Sequence, residues 1–182
     1  MTNEMDYIVR KATLADREAI TDLIAESARQ LSKNEYTDKQ IEGAIATVFG
    51  VDTDLIHDGT YFVADQNGTL IGCGGWSKRK TLFGGDQFSN RDAGTLDPAT
   101  EPAKIRAFFV HPAHARKGVA RAILDACERE AKEQGFHALE LMATLPGVKF
   151  YEACGYSKEG NFDLKLPDGV KLELVPMRKE LR

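Results

Sequence analysis

The sequence of 182 residues lacks the features that mark secreted, membrane-spanning and zinc-binding proteins. It has only three cysteines, widely spaced and without a CxxC pair, so it predicts neither a disulfide framework nor a metal site. No stretch approaches the roughly 18 consecutive apolar residues of a membrane span, and the N-terminus carries no apolar run before its first arginine. We therefore expect a cytoplasmic protein with no metal and no membrane partner.

An excess of charge of one sign is also missing. The net charge of -4 and the isoelectric point near 5.6 argue against nucleic acid as a partner. The composition, 42% hydrophobic and 29% charged, excludes a disordered chain. A chain of this length can bury roughly 70% of its unfolded surface. No linker or repeat divides it, so we expect one domain over residues 1–182.

Apolar spacing, capping residues and turn residues predict an α/β domain. The predicted elements are a strand at 7–12, helices ending near 32 and 50, strands at 60–65 and 69–77, a strand at 105–110, a helix at 117–134, a strand at 138–143, a short helix within 146–155, and a closing hairpin over 156–177. Asn67-Gly68 predicts the turn of the first hairpin. Residues 78–102, rich in Gly, Asp, Asn, Thr and Pro, predict a long exposed loop, and such loops are usually functional or mobile.

Residues 111–121 (HPAHARKGVAR) carry the clearest chemical signal. They lie between a predicted strand and a long predicted helix, where free amides and the helix dipole favour an anion. Gly118 lets the backbone approach a ligand. Three cations at this helix end, Arg116, Lys117 and Arg121, are unfavourable for the dipole unless a polyanion neutralises them. A solvated helix start with a capping glycine is the alternative. The segment matches neither GxxxxGK[ST] nor GxGxxG.

Two motifs in this part of the chain resemble those of the Gcn5-related N-acetyltransferases (GNAT). Residues 111–124 are similar to the acetyl-CoA motif Q/R-x-x-G-x-G/A, with Gly118 and Ala120 at its small-residue positions. Residues 151–156 (YEACGY) resemble the family signature FYxxxGF. The resemblance implies a mixed, mostly antiparallel central sheet of about seven strands flanked by helices. It also implies a cofactor cleft at the splayed central strands.

Three departures from the family pattern stand out. Ala115 occupies the first Q/R position, so Arg116 and Lys117 would supply the side-chain contacts. Thr144 stands where many members carry an asparagine, and Lys104 stands where some members place a glutamate base.

The resemblance implies that acetyl-CoA lies along the central strand and over the turn that follows it. The implied cofactor-binding residues are Phe108, Phe109, Val110, Arg116, Lys117, Gly118, Val119, Ala120 and Arg121. The Val110 N–H would stabilise the oxyanion, and Tyr151 matches the family's general acid. Because a tyrosine pKa of about 10 exceeds the roughly 8.5 of a thiol, Tyr151 would act mainly as a hydrogen-bond donor to the sulfur.

The base and the acceptor site are less determined. A protonated Lys104 cannot act as base, which leaves water, Glu101, Asp86 or His111. Arg106 would hold an acceptor carboxylate or lie exposed at the edge of the cleft. Trp76 would line the acceptor pocket or belong to the core, and Cys154 is expected to pack.

The leading hypothesis is a direct transfer of an acetyl group from acetyl-CoA to the primary amine of a small molecule. The alternatives are a non-catalytic acyl-CoA-binding or regulatory domain, or a transferase for longer acyl groups or for alcohols. The acceptor should be shaped by the first two helices, the 78–102 loop and the last hairpin. Residues 1–60 hold 12 acidic and 6 basic residues, which would attract a cationic amine. A homodimer is compatible with the sequence, although no feature argues for one.

Overall fold

A mixed sheet of eight strands forms the centre of the fold, as described for residues 6–89, 91–92 and 94–182 of a computed structural model. The strands are β1 (Ile8–Lys11), β2 (Tyr61–Gln66), β3 (Thr69–Ser77), β4 (Ala103–Val110), β5 (Ala138–Thr144), β6 (Ser157–Lys158), β7 (Phe162–Lys165) and β8 (Lys171–Glu180). Their order is β1-β2-β3-β4-β5-β8-β6, and β7 also pairs with β8. Among the described strands, β4 and β5 form the single parallel pair. The expected mostly antiparallel sheet is therefore confirmed.

Five α-helices flank the sheet in the described part of the chain. They are α1 (Arg17–Leu31), α2 (Asp38–Thr47), α3 (Thr53–Asp58), α4 (Val119–Glu133) and α5 (Val148–Ala153). The predicted capping box at the start of α2 is present, since the Thr37 side chain accepts from the Gln40 amide. The sequence prediction missed α3, because its six residues are too few to show helical periodicity. None of the described helices is both long and apolar enough to cross a membrane.

The two faces of the sheet carry separate hydrophobic cores. Helices α4 and α5 cover one face, where Ile123, Leu124 and Cys127 are fully buried. Helices α1, α2 and α3 cover the other, where Ile20, Ile24 and Leu55 are the centre. We call these the α4 face and the α1 face. The sheet is therefore packed on both faces, and an opening within it is lined by packed strands.

That opening lies between β4 and β5, which separate soon after they meet. Only two residue pairs join them, Ala103 with Leu139 and Lys104 with Glu140. Beyond these pairs no described strand pairs with β4 on its β5 side, and its backbone groups there have no partner among the described residues. The splayed central strands that the family resemblance implies are thus present, and they create the cleft.

A β-bulge in β4 sits at the middle of this unpaired edge. The register with β3 shifts between Cys73 and Gly75, and Ala107 adopts a φ of 54° that non-glycine residues seldom adopt. The Ala107 carbonyl accepts from the Tyr61 hydroxyl at 3.1 Å, and the Cys73 Sγ lies 3.7 Å away. These buried contacts hold the strained residue in place, and the bulge therefore redirects the following residues of β4 in a fixed way.

Candidate active site

The turn between β4 and α4 presents a continuous series of free backbone amides. Among the described residues, no group accepts a hydrogen bond from the amides of residues 116–121, and the first backbone bond of α4 runs from Ala122 N–H to Gly118 O at 3.0 Å. Gly118 caps the helix without a side chain. Helix starts normally satisfy such amides with a Ser, Thr or Asp cap. Here the six amides remain available to an anion.

The backbone conformation of the turn depends on two residues in the left-handed region. Arg116 has a φ of 61° and Gly118 a φ of 84°. A Cβ added at Gly118 would meet no atom within 4 Å, so the space over the turn is open. The side chains of Arg116, Lys117 and Arg121 are exposed at this end of the helix, whose first turn contains no acidic residue. Free amides, the helix dipole and three cations together fit a polyphosphate.

The unpaired edge of β4 aims one particular amide into the opening. The His111 N–H donates to the Ile71 carbonyl of β3 at 2.9 Å. In an antiparallel ladder, neighbouring residues point their backbone groups to opposite edges. The Val110 N–H therefore points away from β3 and into the cleft. This is the orientation that the predicted oxyanion contact requires.

Small residues of β3 allow the bulged strand to lie close. A Cβ added at Gly74 would stand 2.6 Å from the Phe108 ring, and one at Gly72 would stand 2.6 Å from Val119. Phe108 therefore lies flat over Gly74, and its ring reaches Tyr151 on α5 at a centroid distance of 6.4 Å. Phe108, which follows the bulge and packs on Gly74, is therefore the residue through which β4 contacts Tyr151.

Tyr151 is held in an aromatic cage on the α4 face. Its ring contacts those of Phe108, Phe150 and Tyr156, and the residue is 8% exposed. No described residue hydrogen-bonds its hydroxyl. Burial raises the pKa of Tyr151 well above its ordinary value, and the neighbouring thiols of Cys127 and Cys154 add to the shift. The hydroxyl thus keeps its proton at neutral pH and is free to donate it in a hydrogen bond.

The groups considered as bases are occupied elsewhere. The His111 Nδ1 accepts from the Ala113 amide at 3.1 Å, which places the ring proton of the neutral imidazole on Nε2. That nitrogen lies 3.6 Å from Glu26, so neither ring nitrogen is placed to take a substrate proton. Asp86 accepts from the Thr53 amide at 2.9 Å, and Glu101 from the Asp97 amide at 3.0 Å. Asp86 thus joins the β3–β4 loop to the start of α3, whereas the contacts of His111 and Glu101 lie within their own turn and loop.

Lys104 lies at the closed end of the cleft and forms an ion pair with Glu140 of β5. Burial lowers the pKa of Lys104, whereas Glu101 raises it. Sequence reasoning identified Lys104 but missed Glu140, because their proximity depends on the register of the two parallel strands. The cation therefore has a structural partner in the neighbouring strand.

Neither interpretation of Arg106 was right. The side chain is neither exposed nor free to bind an acceptor, because the residue is 3% exposed and its Nη2 lies 2.8 Å from the Asp52 carboxylate. Burial lowers the pKa of Arg106, and Asp52 opposes that effect. Arg106 also donates to the carbonyls of Thr81 and Gly84 at 3.0 and 2.5 Å. The sequence pattern of β4 could not show this, because the partner, Asp52 at the start of α3, lies 54 residues earlier in the chain.

Trp76 does not line the acceptor pocket. It is fully buried on the α4 face, where its Nε1 donates to Glu130 at 3.0 Å and its ring meets Phe136. Cys154 is 7% exposed and packs in the same core, as expected. The described residues contain no cluster of three or more His, Cys, Asp or Glu that could hold a metal ion.

The loop between β3 and β4 is long, as predicted, but much of its described part is anchored. Arg91 donates to Asp52 at 2.8 Å and to Asp54 at 2.9 Å, and it also binds the carbonyls of Gly84 and Gly85. The Gly85 amide donates to Val48 at the end of α2. The charge network around Asp52 therefore fixes this loop against the α1 face. Residues 90 and 93, which belong to the same predicted loop, lie outside the described residues.

Comparisons with known proteins agree with this geometry. The model of the acetyltransferase (GNAT) family matches residues 19–156. A GCN5-related N-acetyltransferase from Rhodopseudomonas palustris superimposes with a TM-score of 0.73 at 19% identity, covering 100% of this chain and 99% of its own. PaiA N-acetyltransferase from Thermoplasma acidophilum, in complex with coenzyme A, gives 0.65 at 16% identity over 97% and 99% of the two chains. The Salmonella typhimurium protein yncA, with its cofactor acetyl-CoA, gives 0.65 at 20% identity over 97% and 95%.

The solved structures share the fold, and the family model covers most of the chain, including both motifs that the sequence analysis recognised. The chain belongs to the acetyltransferase (GNAT) family.

Proposed function

We propose that this protein is an N-acetyltransferase that transfers the acetyl group of acetyl-CoA directly to the primary amine of a small molecule. The observation that carries the proposal is the series of six free amides over residues 116–121, next to a cleft into which the Val110 N–H points. The complexes of two structural relatives with coenzyme A and acetyl-CoA support the same co-substrate.

Acetyl-CoA would supply an acyl group activated as a thioester. In this chain, the amides of residues 116–121 would hold its pyrophosphate, assisted by the side chains of Arg116, Lys117 and Arg121. The unpaired edge of β4 at Phe108, Phe109 and Val110 offers main-chain groups to an extended arm, in the manner of an added strand.

Two groups of the chain would stabilise charge as the acyl group moves. The Val110 N–H would donate to the oxygen on which negative charge develops. The Tyr151 hydroxyl, protonated and without another partner among the described residues, would donate to the departing sulfur. The attacking amine must be neutral, and water would remove its proton, since the side chains of His111, Asp86 and Glu101 each already accept a hydrogen bond from a backbone amide of the chain.

We place this activity in the cytoplasm, in keeping with the three cysteines, which are all buried and unpaired. One observation favours a second function. β4 contains no acidic residue, and Glu140 of the neighbouring strand is paired with Lys104, so neither strand offers a free carboxylate in the cleft. A non-catalytic domain that binds acyl-CoA would need no base, and it would share the phosphate site.

Two measurements on the purified protein separate these functions. Thermal unfolding with coenzyme A and acetyl-CoA tests binding, and thiol release from acetyl-CoA across a panel of primary amines tests transfer. The enzyme should be stabilised and should release thiol in proportion to the acetylated amine found by mass spectrometry. Stabilisation without product from any amine would support the non-catalytic function. The absence of stabilisation would contradict both.

A further inference from the structure

A row of three phenylalanines bridges two elements beside the cleft. Phe83 and Phe88, from the loop between β3 and β4, have ring centroids 5.1 Å apart, and Phe83 lies 6.0 Å from Phe162 of β7. We call these three residues the aromatic bridge. Phe162 is 39% exposed and the other two are half-buried. The bridge thus presents aromatic surface to solvent, which a residue of a closed core does not do.

The register of the sheet places the bridge across the cleft on the α1 face. Phe162 pairs with Leu174 of β8, and Leu174 pairs with Thr144 at the carboxyl end of β5. On the other side of the cleft, Arg106 of β4 binds the loop at Gly84, the residue after Phe83. One end of the bridge is therefore attached to β4 and the other lies in line with the end of β5.

The loop segment that carries Phe83 is anchored by side chains of the α1 face. Arg106 and Arg91 bind the loop carbonyls on either side of it, and Asp52 neutralises both guanidinium groups. A Cβ added at Gly85 would stand 2.7 Å from the backbone of Gly50, so the loop lies directly against the end of α2. The backbone on both sides of Phe83 is thus anchored by side-chain hydrogen bonds.

The surface next to the bridge is mostly apolar, and β4 and β5 offer no unpaired charge there. The charged side chains of these strands on this face are already in ion pairs, Lys104 with Glu140 and Arg106 with Asp52 of the α3 cap. The hydrophobic residues that remain partly exposed on this face are Ile45, Phe109, Met142 and Leu145, and the partly exposed Thr144 beside them is uncharged. A ligand carboxylate would lose its hydration here without gaining a free cation, which is costly.

We propose that the acceptor is a primary amine with an aromatic or branched aliphatic body and no carboxylate, and that the aromatic bridge binds this body. The inference rests on the proposed function and specifies its substrate class. The acceptor would approach from the α1 face, because the α4 face of the cleft is filled by Phe108 and Tyr151 packed together. The acidic excess of residues 1–60 favours a cationic amine over an anionic one.

Matched acceptors test the inference directly. Phenethylamine and L-phenylalanine share an aromatic body and differ by a carboxylate, while ethanolamine is a small polar amine. We expect thiol release with phenethylamine at a kcat/KM at least about tenfold above that with either of the other two, since desolvation of a carboxylate or loss of an aromatic contact each costs this much.

Variants of the bridge test the site. Phe162→Ala should raise the KM for phenethylamine about tenfold with little change in kcat, because a partly exposed ring on an edge strand contributes binding and no chemistry. Phe83→Leu, which keeps apolar volume, should raise it less. Ile8→Ala, which removes an exposed apolar side chain from β1 at the opposite edge of the sheet, should change nothing.

The failures of the two proposals are distinguishable. No acetylation of any amine would remove the proposed function. Acetylation with equal kcat/KM for L-phenylalanine or ethanolamine, or an unchanged phenethylamine KM in Phe162→Ala, would leave the function standing and overturn the inference.

Discussion

The two ends of the cleft, the cofactor end and the acceptor end of our proposal, are built from different chemical groups. The cofactor end consists of main-chain amides and glycines, and its side chains at Arg116 and Lys117 are exposed and without an ion pair among the described residues. The acceptor end consists of side chains that a buried charge network around Asp52 holds in place. A backbone site tolerates many sequences so long as its glycines remain, whereas a side-chain site changes with each substitution. This difference explains why a sequence motif predicts a cofactor and leaves the acceptor open.

The largest effect should come from the acceptor end, with Asp52→Asn. Asp52 is fully buried and neutralises Arg106 and Arg91, so removing its charge should lower the free energy of unfolding by about 3 kcal/mol in urea denaturation. The affinity for acetyl-CoA should stay the same in the folded variant. Glu42→Gln, which breaks the exposed pair with Arg29, is the control and should cost much less. Equal losses in the two variants would contradict the role of the buried network.

The next effect concerns chemistry at the boundary of the two ends. Tyr151→Phe should lower kcat about 100-fold and leave the dissociation constant of acetyl-CoA nearly unchanged, because it removes a donor that acts on the leaving thiolate. Steady-state kinetics and calorimetry give the two quantities. Tyr156→Phe removes a neighbouring hydroxyl that binds Glu128 at 3.0 Å and should retain kcat. An unchanged kcat in Tyr151→Phe would exclude this tyrosine from catalysis.

A charge placed at the cofactor end should affect that end alone. Gly118→Asp and Gly118→Asn differ only in charge, and both side chains tolerate the left-handed backbone at this position better than other non-glycine residues. Since both side chains fill the open space over the turn equally, we expect Asp to weaken acetyl-CoA binding about 30-fold relative to Asn through repulsion of the phosphates alone. Calorimetric titration measures this. Equal affinities would show that the pyrophosphate lies elsewhere.

The smallest effect is the pH dependence of stability. Burial raises the pKa of Tyr151 above the ordinary value of about 10 that it has in the unfolded chain. The unfolded state therefore loses this proton first, so the stability present below pH 10 declines as the pH rises above that value. At pH 10.5 the decline should be below about 1 kcal/mol for this residue, and Tyr151→Phe should show a correspondingly smaller loss in urea unfolding. A variant that loses as much as the parent would contradict the burial of the hydroxyl.

Local patterns predicted the elements that local chemistry determines. The Asn67-Gly68 turn appeared where expected, and both residues have positive φ, as a two-residue hairpin turn requires. Gly118 and the residues around it were enough to predict both α4 and the free amides at its start. The bulge at Ala107 gave no signal, because its strain is stabilised by Tyr61 and Cys73 from other strands.

Long-range contacts account for what sequence reasoning missed. The last strand, β8, lies between β5 and β6 and does not merely close a hairpin, since its pairing with β5 depends on residues 30 or more positions apart. The burial of Arg106 depends on Asp52, and the aromatic bridge joins residues 79 positions apart. No window along the sequence contains both members of these pairs.

Hydrogen exchange of the backbone amides tests the central claim most directly. In the free protein, the amides of residues 116–121 should exchange rapidly, because no described group accepts their hydrogen bonds. Addition of coenzyme A should slow exchange over this segment while the amides of the loop at 78–89 change little. Binding of coenzyme A with unchanged exchange at 116–121 would contradict the assignment of this turn as the phosphate site.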